Sequence, residues 1–391
     1  MNHSIAPHIM SPFYKPAHIS SLEGVRAVAA LGVILAHVSF QTGMDPASPI
    51  GAVLARFDFF VPAFFALSGF LLWRGHRHDR TGAQIGRYLV NRVARILPAY
   101  LVCVLAVILL LPEAGQMSSS QIVANLTLTQ VFAVDGLAPG LTHLWSLSVE
   151  MAFYLVLPLL ALSLGRLPRR ARIAAILVAG LLSLGWAYLP LVMAGPDLAA
   201  GIANRQIWPP AYTLWFAVGL LSAEFEGRVP PLVDRALRVR WLWWVLALIT
   251  AWIAGQEWFG PLGLVHPDPS EFARRVIAGT VFAVAVVCPQ ALAPGGGWLA
   301  SPLMQSLGRW SYSIFLWHLA MLSLAFPLAG IGYFQGGFVI ILALTLIMTL
   351  PVAAASYLFV EAPAARWGRQ VANRLARAAT QRSITTSESP A

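Results

Sequence analysis

The sequence predicts an all-α, polytopic integral membrane protein of about ten transmembrane helices, with both termini on the cytoplasmic side. Three observations carry this. Of 391 residues, 58% are hydrophobic and 11% charged, where an ordinary soluble domain has about 25% charged residues. Apolar stretches close to the ~20 residues that cross a hydrocarbon core recur ten times. Basic residues then alternate between the connecting segments in a way that only one orientation explains.

The ten stretches lie near 20–40, 57–73, 96–112, 143–164, 173–193, 208–224, 241–254, 275–292, 308–328 and 337–360. The seventh is short, the fourth begins with polar residues, and 121–134 is too short to span. With the N-terminus inside, the inner segments and Arg309 hold 21 basic residues; the outer ones hold only Arg56, Arg205, Arg274 and Arg275. Residues 1–19 are mixed polar with prolines and histidines, so they read as a cytoplasmic segment and not as a signal peptide. Residues 20–366 form the membrane domain, and 367–391, polar and rich in Arg, Ser and Thr, are expected to be a disordered cytoplasmic tail. The net charge of +10 sits in short clusters between apolar runs, so the lipid bilayer is the expected partner and nucleic acid is not. Cys103 and Cys288 fall inside apolar runs and read as small buried residues.

An ionisable side chain inside a spanning helix costs at least ~2.5–3.5 kcal/mol, so each one is a functional candidate. The first helix carries Glu23, Arg26 and His37. Eleven residues at about 100° each make three turns plus about 20°, which puts Arg26 and His37 on one face, about 16 Å apart. Taken singly, Arg26 could be an inner anchor beside Glu23, and His37 a hydrogen-bonded boundary residue. Neither reading explains the shared face. The fourth helix begins with His143, Trp145 and Glu150, and a carboxylate facing the bundle needs a partner such as His37 or an Arg. His318 lies in the middle of the ninth helix. Asp58, near the outer boundary, reads as solvated. The inner segment 74–95 holds Arg87, Arg92 and Arg95, whose guanidinium forks suit phosphates; a positive-inside bias alone would also place them there. His76 and His78 flank Asp79 without a third ligand, so no metal site is expected.

At these residues the sequence resembles the acyltransferase-3 family of integral membrane acyltransferases. Leu22 to His37 matches the family's Arg/Lys-x10-His signature. Phe64 to Leu72, which includes Ser68, leads to Arg92-Val-Ala-Arg95 and its Arg-x-x-Arg motif. The His143–Tyr154 block, the Tyr312–His318 block and Phe359-Val-Glu361-Ala-Pro363 complete the set. Glu23 stands where the family more often has Asp, and Met151 follows Glu150 where a second polar residue is common. The resemblance implies an O-acyltransferase of a bacterial-type inner membrane, using cytoplasmic acyl-CoA (most often acetyl-CoA), with no permanently bound cofactor. It implies an extracytoplasmic acceptor, a surface polysaccharide or lipid-linked sugar first and a small molecule such as a macrolide sugar second. Some relatives carry a fused hydrolase-like domain; this sequence has none, which points to direct transfer.

On this expectation the donor phosphates dock on Arg92, Arg95 and Arg87 with Arg26 at the mouth. His37 is then general base or transient acyl carrier, and Glu150 holds its tautomer. Ser68, Glu23, His143, Trp145 and His318 are supporting candidates. The rival class is a proton-coupled secondary transporter, because buried His, Glu and Arg also form proton relays. It predicts repeated halves and broken helices in matching positions, and neither is visible in the sequence.

Overall fold

The computed structural model describes residues 17–194, 204–262 and 267–387. Among the described residues all regular structure is helical. Each of the ten apolar stretches coincides with a helix. These are α1 (Ser20–Gln41), α2 (Phe60–His76), α3 (Gly82–Leu110), α4 (Trp145–Leu162), α5 (Arg169–Leu182), α6 (Thr213–Phe225), α7 (Arg240–Ala254), α8 (Pro269–Leu292), α9 (Pro302–Ala329) and α10 (Phe338–Ser356). An eleventh helix, α11 (Ala362–Ser387), follows a π-helical turn at Tyr357–Glu361.

About ten spans were expected, and among the described residues eight helices are long and apolar enough to cross a membrane. A ninth is reached if α7 and the short helix Pro231–Arg238, bent by 71°, count as one. The sixth stretch, α6, has 13 residues, about 20 Å at 1.5 Å per residue, against a core of about 30 Å. Hydropathy found it because nearly its whole surface is buried in the bundle. Helix α11 runs from the end of the membrane domain into the segment after 367 and packs along α3. Gly368 sits where a Cβ would collide with the Ala94 side chain, and Ala372, one turn on, is buried. Polar composition concealed that narrow small-residue face. The rest of the terminal segments, 1–16 and 388–391, lies outside the described residues.

Two close crossings position the interior. Helices α2 and α6 approach through Gly69 and Gly219; a Cβ on Gly219 would overlap the Ala66 carbonyl, and one on Gly69 would crowd the Phe216 carbonyl. Small residues allow such backbone contact in membrane bundles. Helices α1 and α9 pack in parallel, since Arg26 meets Ser311 and His37 meets His318 further along both. The start of α3 is fixed by a capping box between Thr81 and Gln84, which sets Arg92 and Arg95 three to four turns into that helix. The end of the bundle where α1 and α3 begin and α2 stops is called the basic end below. It also holds a buried ion cluster: Glu224 of α6 accepts from Arg172 at 2.6 and 2.8 Å and from the Trp73 indole at 2.7 Å.

Candidate active site

Among the described residues, two cavities in the bundle bear on the candidate residues. The first has a volume of about 430 Å³. It reaches from the basic end, past His18 and His76, to Phe315 of α9. Arg26, Arg92 and Arg95 line it, with Glu23, Ser68 and Glu150. Arg26 donates to Ser311 at 3.3 Å. Among the described residues no ion pair involves Arg26, Arg92 or Arg95, and the Arg92 Nε is buried without a hydrogen-bond partner. Arg74 at the same end is neutralised by Glu226 at 2.7 Å. The first cavity is therefore largely apolar, with three guanidinium groups outside ion-pair distance of the carboxylates that share its wall. Arg87 is not among its lining residues.

Deeper in this cavity Glu150 accepts hydrogen bonds from Ser68 and from Tyr154, the latter at 2.5 Å. The contact expected between Glu150 and His37 is not formed. The α2–α6 crossing and the α2–α4 contact bring Ser68 to the carboxylate, and this tertiary choice of partner has no sequence signal.

The second cavity, about 530 Å³, lies toward the opposite end. His37, His143 and Trp145 line it, as do Arg56, Asp58 and Arg275. Aromatic rings form one wall: Tyr212 stacks on Trp215 at 4.5 Å between ring centres and lies 5.2 Å from Trp145. Arg56 and Arg275 spend their Nε–H groups on the Ala254 and Phe259 carbonyls, each at 2.7 Å, and Asp58 stands 4.0 Å from Arg56. Asp58, read from the sequence as solvated, has a side chain 54% exposed, whereas sequence reasoning left Arg56 and Arg275 as outer-loop charges. The closeness of Arg56 to Asp58 in sequence was the available signal.

Helices α1 and α4 run past both cavities: Arg26 and Glu150 face the first, His37 and Trp145 the second, with His143 in the turn just before α4. The shared face of Arg26 and His37 is the one packed on α9. His37 Nδ1 lies 2.9 Å from His318 Nε2, and His318 Nδ1 lies 2.8 Å from the Phe315 carbonyl. A carbonyl can only accept, so His318 carries its proton on Nδ1. With both rings neutral, its Nε2 accepts from the His37 Nδ1–H, which leaves the His37 Nε2 lone pair free. His143 completes the group, 4.6 Å from His318 and 6.3 Å from His37 between ring centres. Among the described residues no group of metal-ligating side chains is placed to hold a metal ion.

The chain matches the acyltransferase-3 family, described as an acyltransferase domain, over residues 19–358. It is 29% identical over 320 residues to the exopolysaccharide production protein ExoZ of Rhizobium meliloti, covering 79% of this chain and 90% of that protein. It is 24% identical over 397 residues to the O-acetyltransferase OatA of Staphylococcus aureus, covering 92% of this chain and 59% of that longer protein. A putative O-acetyltransferase of Staphylococcus aureus is also 24% identical, again over 92% of this chain and 59% of that protein. No solved structure matches. Signature blocks, helical bundle and profile match agree over most of its length: this multi-pass membrane protein belongs to the acyltransferase-3 family.

Proposed function

We propose that the protein is an O-acyltransferase that moves an acyl group, acetyl in the first instance, from cytoplasmic acyl-CoA to a hydroxyl of an extracytoplasmic glycan. The basic end then faces the cytoplasm. The observation that carries this reading is one helix, α1, presenting a guanidinium to one cavity and an imidazole with a free ring nitrogen to the other. CoA phosphates would dock on Arg92, Arg95 and Arg26, because forked guanidinium groups in a low-dielectric wall bind phosphate strongly. The acceptor, a sugar in keeping with the name of the exopolysaccharide production relative, would enter the second cavity against the Tyr212 and Trp215 wall.

His37 acts as general base. The acceptor hydroxyl oxygen attacks the thioester carbonyl carbon, forming the C–O bond as its proton passes to His37 Nε2. Collapse breaks the C–S bond, and the proton goes on to the CoA sulfur. While His37 is protonated its positive charge is shared through the Nδ1–H bond to His318, which the Phe315 carbonyl anchors. Glu150, bound to Ser68 and Tyr154, serves the donor cavity instead of the imidazole.

The test has two arms. Purified protein in proteoliposomes, given radiolabelled acetyl-CoA and membranes from a strain lacking the gene, should label a surface-glycan fraction; His37→Gln should not. Mass spectrometry of surface glycans should find O-acetyl groups in the parent strain that are missing in the deletion strain. Labelled glycan formed by His37→Gln at the wild-type rate would overturn the role of His37.

A further inference from the structure

The two cavities share two lining residues, Val61 of α2 and Phe315 of α9. Everything else in the first cavity lies on the Arg side of this pair, and His37 lies beyond it. The Phe315 ring is wedged between Phe64, 6.1 Å away, and the imidazoles of His143 and His318, at 5.1 and 5.7 Å between ring centres. None of these contacts is a close parallel stack; all are edge-on or tilted. The ring is also only partly buried, unlike its neighbours Ile314 and Leu316 on α9, which are fully enclosed. It is an apolar plug with free volume on both sides.

We propose that Phe315, with Val61 behind it, is the specificity-determining partition of the enzyme. It selects the acyl group by size and keeps water in the acceptor cavity away from the thioester. The inference rests on the donor and acceptor assignment above. A thioester arriving from the Arg side reaches His37 only by displacing the Phe315 ring, so the acyl group occupies the space the ring gives up. On this proposal each further methylene presses on the ring's neighbours, Phe64 of α2 and the imidazoles of His143 and His318. The ring returns once the acyl group has moved on, and the donor cavity is again sealed from the acceptor side. With the partition removed, water replaces the acceptor hydroxyl. Its oxygen bonds to the carbonyl carbon, the C–S bond breaks, and acetic acid and the CoA thiol are formed.

The experiment uses full-length protein in proteoliposomes with acetyl-, propionyl- and butyryl-CoA, comparing wild type with Phe315→Ala, Phe315→Leu and Val61→Ala. CoA release without acceptor is read by thiol titration, and transfer by label in membranes from a deletion strain. Wild type should transfer acetyl well, discriminate against each added methylene by about tenfold or more, and release little CoA without acceptor. Phe315→Ala should raise acceptor-independent CoA release several-fold and flatten the chain-length profile. Val61→Ala should do the same more weakly, and Phe315→Leu should restore most of the wild-type pattern. A merely structural residue would lower all three donors alike. If the alanine variants transfer acetyl with wild-type chain-length discrimination and no excess hydrolysis, the partition is overturned. If wild type itself uses no acyl-CoA, the donor assignment has failed, and this inference falls with it.

Discussion

The two cavities are close in size and nearly touch, but they treat their charges in opposite ways. In the first, Arg26, Arg92 and Arg95 have no carboxylate partner in an ion pair. In the second, Arg56 and Arg275 are engaged by backbone carbonyls and Asp58 stands beside Arg56. Desolvating a cation without a partner is costly, and the first cavity gathers three guanidinium groups outside ion-pair distance of the Glu23 and Glu150 carboxylates on the same wall. On the proposed function a polyanion belongs there, and a neutral, hydroxyl-rich molecule suits the more aromatic cavity with two guanidinium groups and one carboxylate. The difference between the cavities thus says more about the two substrates than the volume of either does.

The sharpest way to break the comparison is to remove the imidazole that lines the second cavity. His37→Ala should cut turnover by about 10²–10⁴-fold, the usual worth of a general base, while acetyl-CoA still protects the protein from thermal unfolding. Loss of that protection would mean that His37 belongs to the donor side. Next in size is the ion cluster at the basic end. Glu224→Gln leaves Arg172 buried without its charge partner, which should cost about 3–5 kcal/mol and appear as a large fall in Tm in detergent. A Tm within experimental scatter of wild type would show that the cluster is solvated.

Removing a donor-side cation should raise the acetyl-CoA KM without a matching fall in kcat. For Arg92→Ala or Arg95→Ala, loss of about 1.5–3 kcal/mol of charge-assisted hydrogen bonding corresponds to roughly 10–150-fold. Asp58→Asn should show the smallest effect on that constant, close to none, and act only on acceptor use. If Asp58→Asn and Arg92→Ala shifted the same constant, the separation of the cavities by substrate would be wrong.

What the sequence made legible follows from which forces are local. Hydropathy placed all ten apolar helices, α6 included, because burial in lipid and burial in protein leave the same apolar run. It misjudged the length of α6, since a helix enclosed by its neighbours need not match the bilayer. The common face of Arg26 and His37 was readable from helical geometry alone, and it turned out to be the face against α9. Of the two partners of Glu150, Tyr154 lies four positions on along α4, a spacing one helix encodes. Ser68 was not readable, because it depends on how closely α2 approaches α4 and α6, which Gly69 and Gly219 permit but no spacing within one helix encodes. For the same reason the His37–His318 contact, across 281 positions, could be named only as two separate candidates. The α11 face that covers α3 was lost among the charges around it.

Helix α1 acts as a ruler. Eleven residues separate the guanidinium in one compartment from the imidazole in the other, with no proline between them to absorb an error. Losing a single residue there would swing the imidazole about 100° around the axis and draw it about 1.5 Å closer to the guanidinium. It would then turn away from α9 and from His318. This stretch can therefore exchange one apolar side chain for another in many combinations, whereas its residue count is fixed by the reach of the molecule it measures.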